Sequence, residues 1–404
     1  MAEKALEDLK IVDFCWVAAG PIVSLYLAHH GATVIRIESM RRIDILRAVS
    51  PYKDNKPGVN RSGNWDFFNS GKLGMSLNLS HPKGLEIAKR LVAWSDVVGE
   101  SFAPGVIERL GLGYDELKKI KPDIIMYSSS NLGQTGPEAR QPGYGVHLVS
   151  YSGFTHLTGW PDRLSTQPYG AYTDFIAPRF LATALLAAID YRQRTGKGQY
   201  LDISQLEAGV HFIAPAVMDY MINKRVETRV GNKCPYAAPH GAYPCQGDDR
   251  WCAIAVFNDE EWSALCQVMG NPEWTKKSEF ATLLVRKRNE EDLNERIGEW
   301  TRNFTAEELM EKLQAVGVPA GIVKNAADVQ DDPQLALRHH FWQLDHPEIG
   351  RHHYEGPGFI LSKTPAEIER PAPLMGQHTE HVCREILGMS DEEFIDLLSQ
   401  GVFE

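Results

Sequence analysis

Asp174 is the side chain with the most chemistry within reach. It stands in Tyr172-Thr173-Asp174-Phe175, ahead of a strongly helical stretch from Pro178 to Arg194. A Gly-rich turn, Thr195-Gly196-Lys197-Gly198, and a strand-like run, Gln199 to Ile203, follow it. A carboxylate ahead of a helix has two readings. It can cap the helix, as most Asp residues at such positions do. It can also be a covalent nucleophile, kept ionised by the free N–H groups and the dipole of the helix N-terminus. The four residues themselves do not separate the two.

The cysteines offer less. Cys15, Cys234, Cys245, Cys252, Cys266 and Cys383 include no C-x-x-C pair. Cys234, Cys245 and Cys252 cluster with His240, but their spacing fits no zinc pattern, so no metal site is expected. Free buried thiols in a reducing compartment are the better reading. The formal charge of −11 argues against a nucleic-acid partner, which calls for a basic patch or stripe. The first residues, Met1 to Asp8, lack the basic start and apolar core of a secretory signal. The longest apolar run, Phe180 to Ile189, falls short of the roughly 18 residues of a membrane span and reads as a buried helix segment. A cytoplasmic location without membrane contact is expected.

The elements that must position these groups alternate. Lys10 to Phe14 and Val34 to Ile37 read as strands, with a helix from Gly20-Pro21 to about His30 between them, stopped by Gly31. Residues 82–95 are helical, with Leu85, Ala88, Leu91 and Val92 at helical spacing. Asp96 to Val98 and Asp123 to Tyr127 are further strands, separated by helical pieces at Val106–Leu110 and Tyr114–Ile120. A helix follows from Gln205 to Ile222, then a loop-rich stretch to Gln246. Alternation of this kind predicts an α/β fold, a Rossmann-like doubly wound sheet. The first strand is followed by no G-x-G-x-x-G, so there is no dinucleotide fingerprint. A smaller α+β segment comes next: strand Trp251–Val256, helices at 260–269 and 289–302, a capping box Thr305 to Glu308 opening a helix to Val316, and a strand from Pro319 to Lys324. A second capping box, Ser390 to Glu393, opens the last helix.

The ordered string around Asp174 resembles the core of the class III CoA-transferases, the family of the formyl-CoA, carnitine and benzylsuccinate CoA-transferases. Other landmarks agree in order and spacing: Val12-Asp-Phe14 with Gly20-Pro21, Gly31 to Glu38, Phe68-Asn-Ser-Gly-Lys72, Glu100 to Gly111, Gln134-Thr-Gly-Pro137, and Leu374 to Thr379. The resemblance spans nearly the full length. It implies a large Rossmann-like CoA-binding domain over 1–204, a linker over 205–235, a small α+β domain over 236–325, and a return linker with the C-terminal part of the large domain over 326–404. It also implies interlocked chains, as a homodimer or as a heteromer with a homologous subunit, this chain being the catalytic one because Asp174 is present.

The same resemblance implies roles. Asp174 would be the nucleophile, forming an aspartyl mixed anhydride and an aspartyl-CoA thioester. Coenzyme A would enter as a thioester co-substrate, with no permanently bound cofactor. Lys72 and Arg109 would anchor its phosphates, Arg41 and Arg42 its adenosine end, and Phe102, Val17, Ala18 and Leu110 would line its path. Each of these residues has a plain alternative as surface charge or core. Ala18 stands where oxalate- and formate-exchanging relatives carry an amide. The lid region, Pro235 to Tyr243, lacks their glycine run. Both departures suggest a larger acceptor acid, such as the aromatic dicarboxylate benzylsuccinate with succinyl-CoA as donor, met by Tyr144, His147, Tyr236 and His240. The competing expectation is a 2-methylacyl-CoA racemase-type proton transfer, but Tyr144 and Gly145 replace the His-Asp pair that the resemblance assigns to racemases.

Overall fold

The computed structural model describes residues 4–404. Six strands form one all-parallel sheet: β1 (Lys10–Asp13), β2 (Thr33–Glu38), β3 (Leu73–Ser76), β4 (Val97–Glu100), β5 (Ile125–Ser130) and β6 (Tyr200–Ser204). Their spatial order is β3-β2-β1-β4-β5-β6. Because successive side chains alternate faces, each inner strand serves two cores. Ile11, Val34, Val97 and Ile125 face one layer; Val12, Ile35, Val98 and Met126 face the other.

The helices follow from that division. On the first face, α1 (Ala19–His29) contributes Val23 and Leu27. On the opposite face, α3 (Pro82–Trp94) contributes Ile87, Ala88, Leu91 and Val92, and α5 (Tyr114–Ile120) contributes Leu117. The C-terminal helix Asp391–Ser399 adds Phe394 and Leu397 there. The short α2 (Gly63–Asn69) precedes β3, and α4 (Val106–Arg109) follows β4. After β5 come α6 (Gly145–Tyr151) and α7 (Phe154–Leu157). The long α8 (Tyr172–Thr195) joins the first face through Leu181, Leu185, Ala188 and Ile189. Gly196, in the left-handed region at φ 69°, ends it by donating its N–H to Arg192 O. Then follow α9 (Gln205–Val210) and α10 (Ala214–Asn223).

Several elements differ from the sequence reading. Strand β3 escapes it, being four residues long and broken by Gly74. The glycine is required, since a β-carbon there would stand 2.8 Å from the Pro373 side chain. Helix α8 starts at Tyr172, so it is long and apolar enough to cross a membrane by length and composition. Only 44% of its apolar window is buried; Phe180 and Leu186 are exposed, where the sequence suggests a buried run.

The chain divides into two compact units, the first made of the described residues through Leu157 with Thr166–Glu227 and Gln334–Glu404, the second of Thr158–Ser165 and Thr228–Pro333. Segment Thr158–Ser165, which the sequence assigns to the large domain, packs within the second unit. Gly231 N donates to Gly159 O at 2.8 Å and Arg229 Nε to Trp160 O at 3.0 Å. The second unit holds an antiparallel sheet of β7 (His240–Pro244), β8 (Trp251–Ala255) and β9 (Ala320–Ile322). Its helices pack Trp262, Leu265, Leu293, Ile297, Leu309 and Leu313 into one core. The Thr305–Glu308 capping box is formed in both directions. In the first unit, an antiparallel hairpin of β10 (Phe341–His346) and β11 (Gly350–Glu355) lies in what reads as tail loops.

Candidate active site

β1 and β4 are neighbours in space, although two strands separate them in sequence. Connections from their C-terminal ends therefore diverge and open a crevice, the usual ligand position in such sheets. The loop leaving β1 is pinned through three consecutive amides. Cys15 N donates to Asp13 Oδ1 at 2.9 Å, Trp16 N to Ser101 Oγ at 2.8 Å, and Val17 N to Asp44 Oδ2 at 3.1 Å. Val17 has φ 63°, a left-handed conformation that costs a β-branched residue about 1–3 kcal/mol. Ala18 is buried and is the N-cap position of α1. The Phe102 ring meets Trp16 edge-on at 6.4 Å, and the Arg42 guanidinium lies 4.9 Å over the same indole. The fold thus brings Val17, Ala18, Phe102 and Arg42 together, through Trp16 and Ser101, which sequence reasoning missed.

Asp174 sits in the first turn of α8 and is 9% exposed. Pro178 has no N–H, so the helix ladder gives Asp174's carbonyl no partner from that position. Among the described residues no donor or cation reaches the carboxylate. Burial alone pushes its pKa up to about 7. Burial thus works against the help that the helix terminus gives the ionised form. A helix dipole contributes at most about 2 kcal/mol, whereas a rise from 3.8 to about 7 reflects about 4 kcal/mol of desolvation. The carboxyl rests on Gly145, where a β-carbon would fall 2.5 Å from Oδ2. Thr173 Oγ1 donates to Gly145 O at 3.3 Å, tying α8 to the start of α6. Phe175 lies 6.0 Å from Phe68, which belongs to the apolar cluster holding Val17 and Ala18.

The other sequence candidates divide. Lys72 is fully buried, and its ammonium donates to Asp13 Oδ2, Pro21 O and Asn69 Oδ1 at 3.2, 2.9 and 3.1 Å. All three protons are engaged, so this geometry presents no phosphate anchor there, a correction to the sequence expectation. Arg41 is exposed but paired with Glu404 at 2.8 Å. Arg109 is exposed and, among the described residues, its guanidinium has no acidic partner. Its Nη1 would lie 3.1 Å from a β-carbon at Gly105, with Arg140 Nη2 at 4.0 Å, so Arg140 is a second cation at the same turn. Leu110 is half-buried against the sheet core.

Tyr144 and His147 flank Gly145 at the start of α6, both exposed. His147 Nδ1 accepts the Tyr144 N–H at 3.2 Å. A neutral His147 then carries its proton on Nε2. Tyr236 and His240 belong to the second unit. Tyr236 is exposed and stacks on Phe257 at 6.3 Å. His240 Nδ1 is hydrogen-bonded to Asn232 O at 2.6 Å, and the residue lines a cavity of about 860 Å³ with Trp160, Lys233, Tyr243, Glu295 and Arg302. All six cysteines are free and buried. Among the described residues, no group of three or more His, Cys, Asp or Glu is placed to hold a metal.

The family model for CoA-transferase family III matches residues 6–379. The chain is 31% identical over 399 residues to succinyl-CoA–D-citramalate CoA-transferase of Chloroflexus aurantiacus, covering 99% of this chain and 98% of that one. It is 32% identical over 402 residues to the succinyl-CoA–L-malate CoA-transferase beta subunit of the same organism, covering 98% of each. Among solved structures, a CAIB/BAIF family protein from Brucella suis matches with a TM-score of 0.87 at 29% identity, covering 95% of this chain and 99% of that one.

Proposed function

The chain belongs to CoA-transferase family III, and on that footing we propose that Asp174 carries the acyl group as coenzyme A passes from succinyl-CoA to a short dicarboxylic acid. One Asp174 oxygen attacks the thioester carbonyl and expels CoA thiolate, leaving a succinyl-aspartyl anhydride. The thiolate then attacks the Asp174 carbonyl, releasing succinate and forming an aspartyl-CoA thioester. The acceptor carboxylate attacks that thioester in turn, giving a second anhydride and thiolate. Attack of the thiolate on the acceptor's acyl carbon yields the new acyl-CoA and free Asp174. Every group exchanged comes from substrate or from Asp174, so coenzyme A serves as co-substrate.

The observation that carries this reading is the buried carboxyl of Asp174, which lies beside Gly145 and has no partner among the described residues. A capping Asp would spend its oxygens on backbone N–H groups; this one does not. A poorly solvated carboxylate is also a stronger nucleophile. Arg109 and Arg140, free of acidic partners among the described residues, suit the CoA phosphates. Trp16, Val17, Ala18 and Phe102 supply an apolar wall, with Arg42 at its edge. His147 Nε2–H and Tyr144 are donors for the acceptor's second carboxylate.

For the acceptor, the names of the two relatives favour a short hydroxylated dicarboxylate over the bulkier benzylsuccinate. The exposed apolar run along α8 and α10, including Phe180, Leu186, Met218 and Met221, supports a second chain, identical or homologous, covering it. A racemase-type reaction needs two bases facing the α-carbon, and Gly145 offers none.

The test is trapping. The protein is incubated with succinyl-CoA and hydroxylamine, and Asp174 is examined by peptide mass spectrometry for a hydroxamate. Retention of transferase activity in Asp174→Ala would overturn the reading. A panel of citramalate, malate and benzylsuccinate as acceptors ranks the substrate class.

A further inference from the structure

Val17 holds an unfavourable backbone conformation in the loop that faces the crevice, and one carboxylate from outside the loop holds its N–H. Asp44 Oδ2 accepts the Val17 N–H at 3.1 Å and Arg36 Nη2 at 2.7 Å, while Oδ1 accepts Leu46 N at 2.9 Å. Asp44 is 1% exposed and Arg36 is fully buried. Arg36 also lies 3.8 Å from Asp13, the residue whose Oδ1 holds Cys15 N in the same loop. One buried guanidinium thus stands between two carboxylates, and each carboxylate holds an amide of the β1 loop.

We infer that Asp44 is a positioning residue, which fixes Val17 in its left-handed conformation and so shapes the wall against which the coenzyme A chain binds. The inference rests on the CoA-transferase reading of this crevice. Left to itself, a valine relaxes to negative φ, which turns the following residues and moves Ala18 and the start of α1. A charge-assisted hydrogen bond is of the same magnitude as the backbone cost it opposes. The polar partners of Asp44 are Val17, Arg36 and Leu46 and do not include Asp174, so its effect falls on binding of coenzyme A.

The test measures binding of coenzyme A itself by calorimetry, in a double-mutant cycle with Asp44→Asn and Val17→Gly. The amide of Asn presents N–H groups to one of the donors that Asp44 now satisfies, Val17 N with Arg36 on one side or Leu46 N on the other. In the Val17 protein, Asp44→Asn is expected to weaken the CoA Kd by about tenfold or more, the scale of one charge-assisted hydrogen bond. Glycine populates positive φ freely, so in the Val17→Gly protein the same change should weaken it by less than about threefold, since little strain is left to oppose. A merely structural role would instead lower the melting temperature and shift Kd alike in both backgrounds, and that result overturns the inference. So does an unchanged Kd in Asp44→Asn. If Asp44→Asn does not fold, Asp44→Glu, which keeps the charge on Arg36 but shifts its reach, enters the same cycle. Wild-type protein that binds no coenzyme A overturns the functional reading instead.

Discussion

Asp174 and Gly145 are in contact at a distance that admits no side chain: a β-carbon on Gly145 would stand 2.5 Å from Oδ2 of Asp174 and 2.4 Å from Cβ of Ala171. The two residues lie on different helices, α6 and α8, and the hydrogen bond from Thr173 to Gly145 O holds the helices in register. Gly145 therefore defines one wall of the space around the carboxyl.

Gly145→Ala should push that carboxyl out of place. Overpacking of this kind costs about 1–3 kcal/mol, and a displacement of about 1 Å at a reacting atom costs about a hundredfold in rate. Steady-state turnover beside thermal unfolding checks this. A large loss of kcat with a small drop in melting temperature is the expected pattern, and full activity would show that the carboxyl has room to spare.

Asp174 should couple activity and stability to pH in opposite senses. Its folded-state pKa, about 7, lies above the ordinary 3.8 because of burial. A raised carboxyl contributes stability below pH 3.8 that is lost as pH rises through about 7. Asp174→Asn should therefore be more stable than the parent at pH 8, with a ceiling of about 4 kcal/mol, and the gap should close towards pH 4. The rate of hydroxamate formation at Asp174 should rise with pH across the same interval. A flat rate from about pH 5.5 to 8.5 would mean that the carboxyl is ionised throughout.

Lys72 and Arg109 should separate structure from ligand binding. Lys72→Met removes a fully buried cation from Asp13 and leaves Arg36 Nη1 at 3.8 Å as the nearest charge. Breaking such a pair costs about 3–5 kcal/mol, visible in chemical denaturation. Arg109→Ala, at an exposed site without an acidic partner among the described residues, should change stability by less than about 0.5 kcal/mol and instead raise KM for the acyl-CoA. The reverse assignment of effects would return Lys72 to the ligand.

The hairpin of β10 and β11 should loosen as pH rises. His352 Nε2 is hydrogen-bonded to buried Asp66, and Tyr354 donates its hydroxyl to the other oxygen of that carboxylate. Burial works against the charged imidazole, but the Asp66 hydrogen bond and the Gly350 carbonyl outweigh it, so His352 titrates above its ordinary 6.5. Nearby His346 is lowered, mainly by burial. A raised histidine contributes stability that is complete below pH 6.5 and lost as pH passes its folded value. His352→Gln should cost about 1–2 kcal/mol near pH 6 and much less at pH 9. Equal losses at both would show that the imidazole is neutral in the fold.

What the sequence determined by itself is local. The short apolar runs at Lys10 to Phe14 and Asp96 to Val98, the helical spacing of Leu91 and Val92, and the Thr305–Glu308 box depend on neighbours within a turn or a strand, and strands, helix and capping box stand there, with ends shifted by a residue or two. The string around Asp174, with landmarks at the right intervals, carried the family. Tertiary structure alone decided the rest. It set β1 beside β4, which makes the crevice. It buried Lys72 against Asp13 and left Arg109 beside Arg140. It also placed Gly145 under Asp174 and Asp44 under Val17, pairs whose members are remote in the chain. The physical reason is that a side chain's identity is written in the sequence, but its charge state and its available surface are set by solvent exclusion and by partners that only the folded chain assembles. Asp174 shows this most directly: the sequence marks it as an acid at a helix start, and burial alone makes it an acid that titrates near neutrality.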